Sequence, residues 1–355
     1  MTLLLLFLPP ILVSVTLFFL SKGRVNWKEL LVQAGVAVLL IGSGFALGRC
    51  GVMADREVWN GRIAEKHEGT ESCCHDYPCN CREECSGSGS SRSCSTVCDT
   101  CYEHIQDDYW SASTTNGERV FYDGCNPPGS SPPSRWNAIV VGEPTAVEHR
   151  FKNYIKGAPG TILKKQGLVE KYKGLIPQYP RTYDLYRIRR VLPAGVEVPG
   201  AARMDAVLDE INARLGRPKQ VNMIVVVTAA ADRGYIHALE EAWLGGKKND
   251  LVLVVGAPDY PKIAWAGVMS WTKVENLKLS LRDAVEDMGT FDGDRVMALL
   301  EREVSEKFIR RPMADFEYLS SSIQPPFWLL VVLLVLGLGV SGGLGYWFWK
   351  EDPLG

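Results

Sequence analysis

Three uncharged apolar stretches constrain this chain more than any other feature. Residues 3–20 read LLLLFLPPILVSVTLFFL, residues 30–48 read LLVQAGVAVLLIGSGFALG and residues 327–349 read FWLLVVLLVLGLGVSGGLGYWFW. Each approaches the roughly 20 apolar residues that carry a helix across about 30 Å of hydrocarbon. The first reads as a span and not as a cleaved signal peptide, because it lacks a basic leading region and a clean small-residue cleavage site, and a second apolar stretch follows almost at once. Pro9 and Pro10 predict a local disturbance of that helix.

The short connection between the first two spans carries Lys22, Arg24 and Lys28, with Glu29 the one nearby acid. Short basic loops stay in the cytoplasm. This predicts residues 51–325 on the extracytoplasmic side, periplasmic in a Gram-negative cell, and the tail KEDPLG inside. Trp328, Tyr346, Trp347 and Trp349 fall near the ends of the third stretch, where amphipathic rings settle at the interface. Glycines recur at 35, 42, 44 and 48 and crowd 337–345, a spacing that allows close helix packing. No Asp, Glu, Lys, Arg or His falls within the three stretches, so the usual mark of an ion path is absent and the spans read as anchors.

At 355 residues the chain has room for two ordinary domains. Its 39 Lys and Arg nearly balance 41 Asp and Glu, so it has no overall basic field and nucleic acid is not an expected partner. Four parts follow: residues 1–50 with two spans and the basic loop, 51–180 rich in cysteine, 181–325 alternating α and β, and 326–355 with the last span and a short tail.

Eight of the ten cysteines fall between Cys73 and Cys101. Two half-clusters stand out, Cys79, Cys81 and Cys85, then Cys94, Cys98, Cys101 and His104, separated by SGSGSSRS. The spacing C-x3-C-x2-C-x2-H can place soft ligands around one tetrahedral zinc ion, with His75 a further candidate ligand. The same cysteines form a disulfide framework in an oxidising compartment, which suits a segment too poor in apolar residues to build a core. Both readings stand on the sequence, disulfides first and zinc as the alternative. Cys73 and Cys74 are adjacent and pair elsewhere; Cys50, at the mouth of the second span, reads as acylated, free or intermolecular. DDYWSAS and ERVFYDG predict short strands, AIVVGEP (138–144) a buried strand, and AVEHRFKNYIKG a short helix or loop. His149 reads as a surface side chain.

From residue 181 the pattern alternates. TYDLYRIRRVL predicts a strand, and AARMDAVLDEINARLG a helix with Met204, Val207, Leu208, Ile211 and Leu215 on one face and Gly216 as its stop. VNMIVVVTAA and DLVLVVGAPDY predict fully buried strands with the helix DRGYIHALEEAWLG between them. AWAGVMSW is a third strand, followed by two amphipathic helices, KVENLKLSLRDAVEDMG and DRVMALLEREVSEKFIR. Near-continuous apolar strands need cover on both faces, so this is a small α/β sandwich.

This order, with GGKKND before LVLVVGAPD and a helix ending EKFIRRPMADFEYL ahead of a C-terminal span, resembles the TPM domain family over residues 200–323. The resemblance implies a domain held outside the membrane; some relatives are linked to phosphatase activity and others to assembly or repair of membrane complexes. The family's glycine-rich acidic stretch after the third strand is replaced here by AWAGVMSWTKVEN. The block from EVWNG through the CNC, CDTCYEH and GEP elements is similar to that of membrane proteins of bacteriophages and bacteria, and implies no activity.

The chain lacks a P-loop, HExxH and a GxGxxG turn opening a helix after a strand, and its one GxSxG match, Gly339–Gly343, lies inside the third apolar stretch, where small residues allow helix packing. The GGKK at 245–248 is a candidate anion site, and Asp232, Asp250 and Asp259 are candidate cation ligands if they share one rim of the sheet. His237 reads as a helix-surface residue. The expectation is a non-enzymatic membrane-anchored binding or assembly module with a protein partner or a second copy of itself. The alternative is a weak metal-assisted hydrolase on the α/β domain.

Overall fold

The computed structural model describes residues 2–86, 93–158, 160 and 167–354. Helix α1 (Thr2–Leu20) runs through Pro9 and Pro10. Helix α2 (Trp27–Met53) starts three residues before the apolar stretch. Asn26 sets that start: its side chain accepts from the Lys28 and Glu29 amides at 2.9 and 3.0 Å, while Glu29 reaches back to the Asn26 amide at 2.9 Å. This reciprocal cap satisfies orphan donors of the first turn and draws Glu29 into the helix as a fully buried residue, an acid that the sequence places in the loop.

With no linker, α2 passes into β1 (Ala54–Ser86), a strand of 33 residues. Strands β2 (Ser93–Thr114) and β3 (Arg119–Asn126) follow, then the short α3 (Ser134–Asn137) and β4 (Pro144–Lys152). They form one antiparallel sheet in the order β3-β2-β1-β4. ERVFYDG forms the short strand β3 as expected, whereas DDYWSAS is the end of the long β2. The expected strand at 138–144 is a turn with Val140 and Val141 exposed, and the following segment, read as helix or loop, is β4. Its alternation of buried and exposed side chains is that of a strand, and the short helix α4 (Tyr154–Gly157) comes only after Asn153 caps it.

After α5 (Leu168–Tyr172), TYDLYRIRRVL breaks into a small hairpin, β5 (Thr182–Tyr183) and β6 (Arg187–Ile188), and a separate β7 (Val191–Ala194). Asp184 and Leu185 both take positive φ, which turns the chain where a continuous strand was expected. The second sheet runs β10-β9-β8-β7, with β8 (Asn222–Thr228), β9 (Asp250–Gly256) and β10 (Trp265–Ser270). Every residue of β8 and β9 is buried. One face, including Val225, Leu253 and Val255, is covered by α6 (Ala201–Lys219), α8 (Glu275–Asp287) and α9 (Gly293–Lys307). The other, including Ile224, Val226 and Val254, is covered by α5, by α7 (Gly234–Ala242) and by residues 175–179. Two covered faces explain the unbroken apolar strands.

Helix α6 does not stop at Gly216. It continues to Lys219 and ends at Gln220 in the left-handed conformation. Gly216 instead lets β1 approach, since a Cβ there would lie 2.6 Å from the Cβ of Asn60 and closer still to its carbonyl oxygen. The two sheets therefore dock on each other through α6.

The chain returns through a 3-10 segment (Met313–Ser322) to α10 (Phe327–Glu351). Phe316, Leu319 and Ile323 pack with Met53 and Ile155 in a collar at the end of α2. Helices α1, α2 and α10 are each long and apolar enough to cross a membrane, and they form one bundle around Leu6, Ile41, Phe45 and Leu333. The glycines divide into two kinds. A Cβ at Gly44, Gly48, Gly337 or Gly345 would strike a neighbouring helix, whereas Gly35, Gly339, Gly342 and Gly343 face open space. Arg24 lies over the Trp349 ring at 5.3 Å, so the basic loop and the end of α10 share one side of the bundle.

Candidate functional site

The first nine residues of β1 hold the site together. Asn60 donates to the Val221 carbonyl at 2.8 Å and accepts from Arg190. Arg190, 2% exposed, also donates to Asn222 at 3.0 Å and pairs with Asp209. Asn249 donates to the Val58 carbonyl at 2.7 Å. Arg310 binds Glu57 at 2.5 Å, and Lys247 binds Asp55 at 2.7 Å. A buried charge needs a partner, and Asp209, Asp55 and Glu57 supply one each to Arg190, Lys247 and Arg310 at the junction of the two sheets.

Between this junction and the last turn of α2 lies a cavity of about 910 Å³. Its walls come from Cys50 and Met53 of α2, the start of β1, the end of β4, Tyr179–Arg181 and the turn after α7. Met53, Phe151, Trp243 and Leu244 give it an apolar side. Its charge is basic. Arg56, Arg150, Lys152, Lys156, Arg181 and Lys247 face three carboxylates, Asp55, Glu57 and Glu148, so six cations less three anions leave +3. Arg56 is paired with Glu148 at 2.7 Å, and Lys156 and Lys247 share Asp55. Burial pushes the Asp55 carboxyl up, but the Lys247 ammonium and the Asn153 amide outweigh it and hold the group below the usual range. Burial lowers Lys248, beside Glu57, from its ordinary value.

Behind the cavity, Asp250 is buried with three donors around it: Tyr179 at 3.0 Å, Asn222 at 2.9 Å and the Lys247 amide at 2.8 Å. Burial outweighs them and pushes the carboxyl up to about 6, against about 3.9 in an unfolded chain. The folded state thus binds this proton more tightly, so the group's contribution to stability is full below about pH 4 and is lost as pH rises through 6. The loss is about 3 kcal/mol for a shift of this size. Thermal melting of the full-length protein in detergent should show wild type losing more stability than Asp250→Asn between pH 4 and 7, and parallel curves would refute the assignment.

No family model matches the chain, and no curated protein or solved structure does so.

The cysteine half-clusters join into disulfides. Cys79 pairs with Cys101, Cys81 with Cys98 and Cys85 with Cys94, while Cys73 pairs with Cys125 on β3. Sulfur in a disulfide has no thiolate to give a metal, so of the candidate zinc ligands Cys79, Cys81, Cys85, Cys94, Cys98, Cys101 and His104 only His104 keeps a free donor atom. It is exposed on β2 opposite Cys74. His75 is bound to Asp107 at 2.6 Å. Of the Ser/Gly stretch between the half-clusters, residues 87–92 lie outside the described residues. Cys50 and Cys74 are free and exposed.

The three aspartates do not share a rim. Asp250 opens β9, whereas Asp232 and Asp259 follow the ends of β8 and β9, a strand length of about 20 Å away. Asp232 is tied to Lys171 at 2.8 Å and to the Gly234 amide at 2.8 Å. In the GGKK turn, Lys247 and Lys248 reach the β1 carboxylates Asp55 and Glu57. His149 stacks on Trp59 with ring centroids 3.7 Å apart, and His237 lies 3.9 Å from Glu240 on α7.

Asn60, Arg190 and Asn249 were not expected from the sequence, since Asn60 is a single uncharged polar residue in EVWNG while Arg190 and Asn249 sit among other polar residues, in RIRR and GGKKND. Of the cavity cations, Lys247 belongs to the GGKK turn, while Arg150 and Lys152 on β4 and Arg181 before β5 lie far from it in sequence and were not expected. Arg190 and Asn249 fall immediately before β7 and β9, and that position was the available signal.

Proposed function

We propose that this chain is an integral membrane protein that presents a non-enzymatic binding or assembly module on the extracytoplasmic side. The observation that carries the reading is the stapled ribbon. Beyond Thr70 and Asp108, β1 and β2 lose their third strand except for the Cys73–Cys125 link, and they continue to Ser86 and Ser93 as a two-stranded ribbon for about 50 Å. Such a hairpin is marginal alone, and here three cross-strand disulfides take the place of a core. Disulfides persist in oxidising compartments, which agrees with the orientation expected from the basic loop. Both ribbon edges offer unpaired backbone groups to an added strand, and Tyr77, Tyr102 and Ile105 are exposed on it.

From residue 65 to 108 the chain has ten Asp and Glu against three Lys and Arg, a charge that suits a basic protein face. The TPM likeness belongs to the same reading, supported by the order of helix, buried strand and final span, and so does assembly as the role. The hydrolase alternative needs converging carboxylates, and Asp232, Asp250 and Asp259 sit at opposite ends of the sheet.

A photo-crosslinker in place of Tyr102 in native membranes should yield a discrete adduct that weakens at high salt. Its mass identifies a separate chain or a second copy. The same probe at Tyr318, which is equally exposed near the span, should not. Equal products at both positions, or none at Tyr102, would sink the proposal.

A further inference from the structure

We infer that the cavity at the foot of the outer unit binds the phosphate group of an anionic amphiphile. Its position, charge and lining each point there. The last turn of α2 forms one wall, through Cys50 and Met53, so the cavity lies where the span leaves the hydrocarbon. Three of its cations, Arg150, Lys152 and Arg181, have no carboxylate partner among the described residues, and Lys152 meets only the Tyr154 ring at 6.0 Å. All three are exposed. Like charges grouped without counter-ions around a cleft focus an attractive field on an anion. Two guanidinium groups suit a phosphate, which offers several acceptor oxygens to their forked donors.

The remaining cations hold the frame and do not compete for the ligand. Arg56 is occupied by Glu148, and Lys247 by Asp55. Met53, Phe151, Trp243 and Leu244 continue the apolar surface from the span into the cavity, which fits a ligand with a charged head and an apolar stem. Basic pockets beside spans bind lipid heads in this way. At about 910 Å³ the volume lies within the ordinary range for ligand sites. The shared chemistry is a phosphate, carried by a membrane lipid or by a soluble molecule, and the inference stands apart from whichever protein meets the ribbon.

The test uses the full chain in detergent, delipidated and examined by native mass spectrometry. The probes are phosphatidylglycerol, phosphatidylcholine and inorganic phosphate. One phosphatidylglycerol should bind per chain in preference to phosphatidylcholine. The triple variant Arg150→Gln, Lys152→Gln, Arg181→Gln should weaken this at least tenfold. Inorganic phosphate binding at the same cations without lipid selectivity would assign the site to a soluble phosphate. Lipid or phosphate retention that ignores the three substitutions would overturn the inference. Should the triple variant misfold, Arg181→Gln alone, on an exposed loop, should still weaken binding several-fold while leaving the melting temperature unchanged.

Discussion

Counting alkylatable thiols by intact mass in denaturant should give two per chain before reductant, Cys50 and Cys74, and ten after it. The four bridges span sequence separations of 9, 17, 22 and 52 residues, and loss of a native disulfide from a segment without a core typically costs about 2–5 kcal/mol. Reduction should therefore open the ribbon to protease between residues 74 and 108 while the α/β unit, with its core on both faces of the second sheet, resists. Free thiols on denaturation together with stoichiometric zinc would reverse this assignment. In a Cys50→Ser background, a membrane-impermeant maleimide applied to intact cells should label Cys74. Labelling only after lysis would place the ribbon in the cytoplasm.

The second large effect is expected at Arg190. Replacement by Met removes a side chain with 2% exposure and strands Asn60, Asn222 and Asp209 without their shared donor. Breaking a buried ion pair on one side costs about 3–5 kcal/mol. Urea titration of the full-length protein, followed by tryptophan emission, should show that loss, because Trp243 and Trp265 sit in the core face beside the same strands. Arg187→Ala is the control. Its side chain is 40% exposed and pairs with Glu143 and Asp184, so its cost should stay under about 1 kcal/mol. A small effect at Arg190 would mean that the two sheets dock without the network.

Periodicity made the α/β unit legible. The strands at Asn222–Thr228 and Asp250–Gly256, and the helices covering them, follow from unbroken apolar runs and from stripes such as Leu277, Leu281 and Val285. The spans were legible for the same reason, since length and lack of charge are local properties. The ribbon was not. Its residues from Glu65 to Glu84 are polar and show no apolar alternation, because both faces of a free ribbon meet solvent, and pairing across it is decided by partners up to 52 residues away. The turn at 138–144 misled for the opposite reason: Ile139 is buried, yet Val140 and Val141 are exposed in spite of their composition. Gly216 read as a helix stop because a contact with Asn60, more than 150 positions earlier, leaves no trace in its local neighbourhood. The cavity shares this limit, as Met53, Arg150 and Arg181 converge only once both sheets have docked.

The direct passage of α2 into β1 at Met53 and Ala54 has a mechanical meaning. A strand of 33 residues has a contour of at most about 110 Å, with register breaks at Ile63/Glu65 and Cys79/Arg82, and its root is clamped by Asp55, Glu57 and Asn60. With no linker between them, a tilt of the span would pass directly into the root of the strand. Tilting the span by about 10° would sweep the far tip through at most about 20 Å on that contour, so a change in bilayer thickness, which alters helix tilt, would be felt as a displacement at a distance from the membrane.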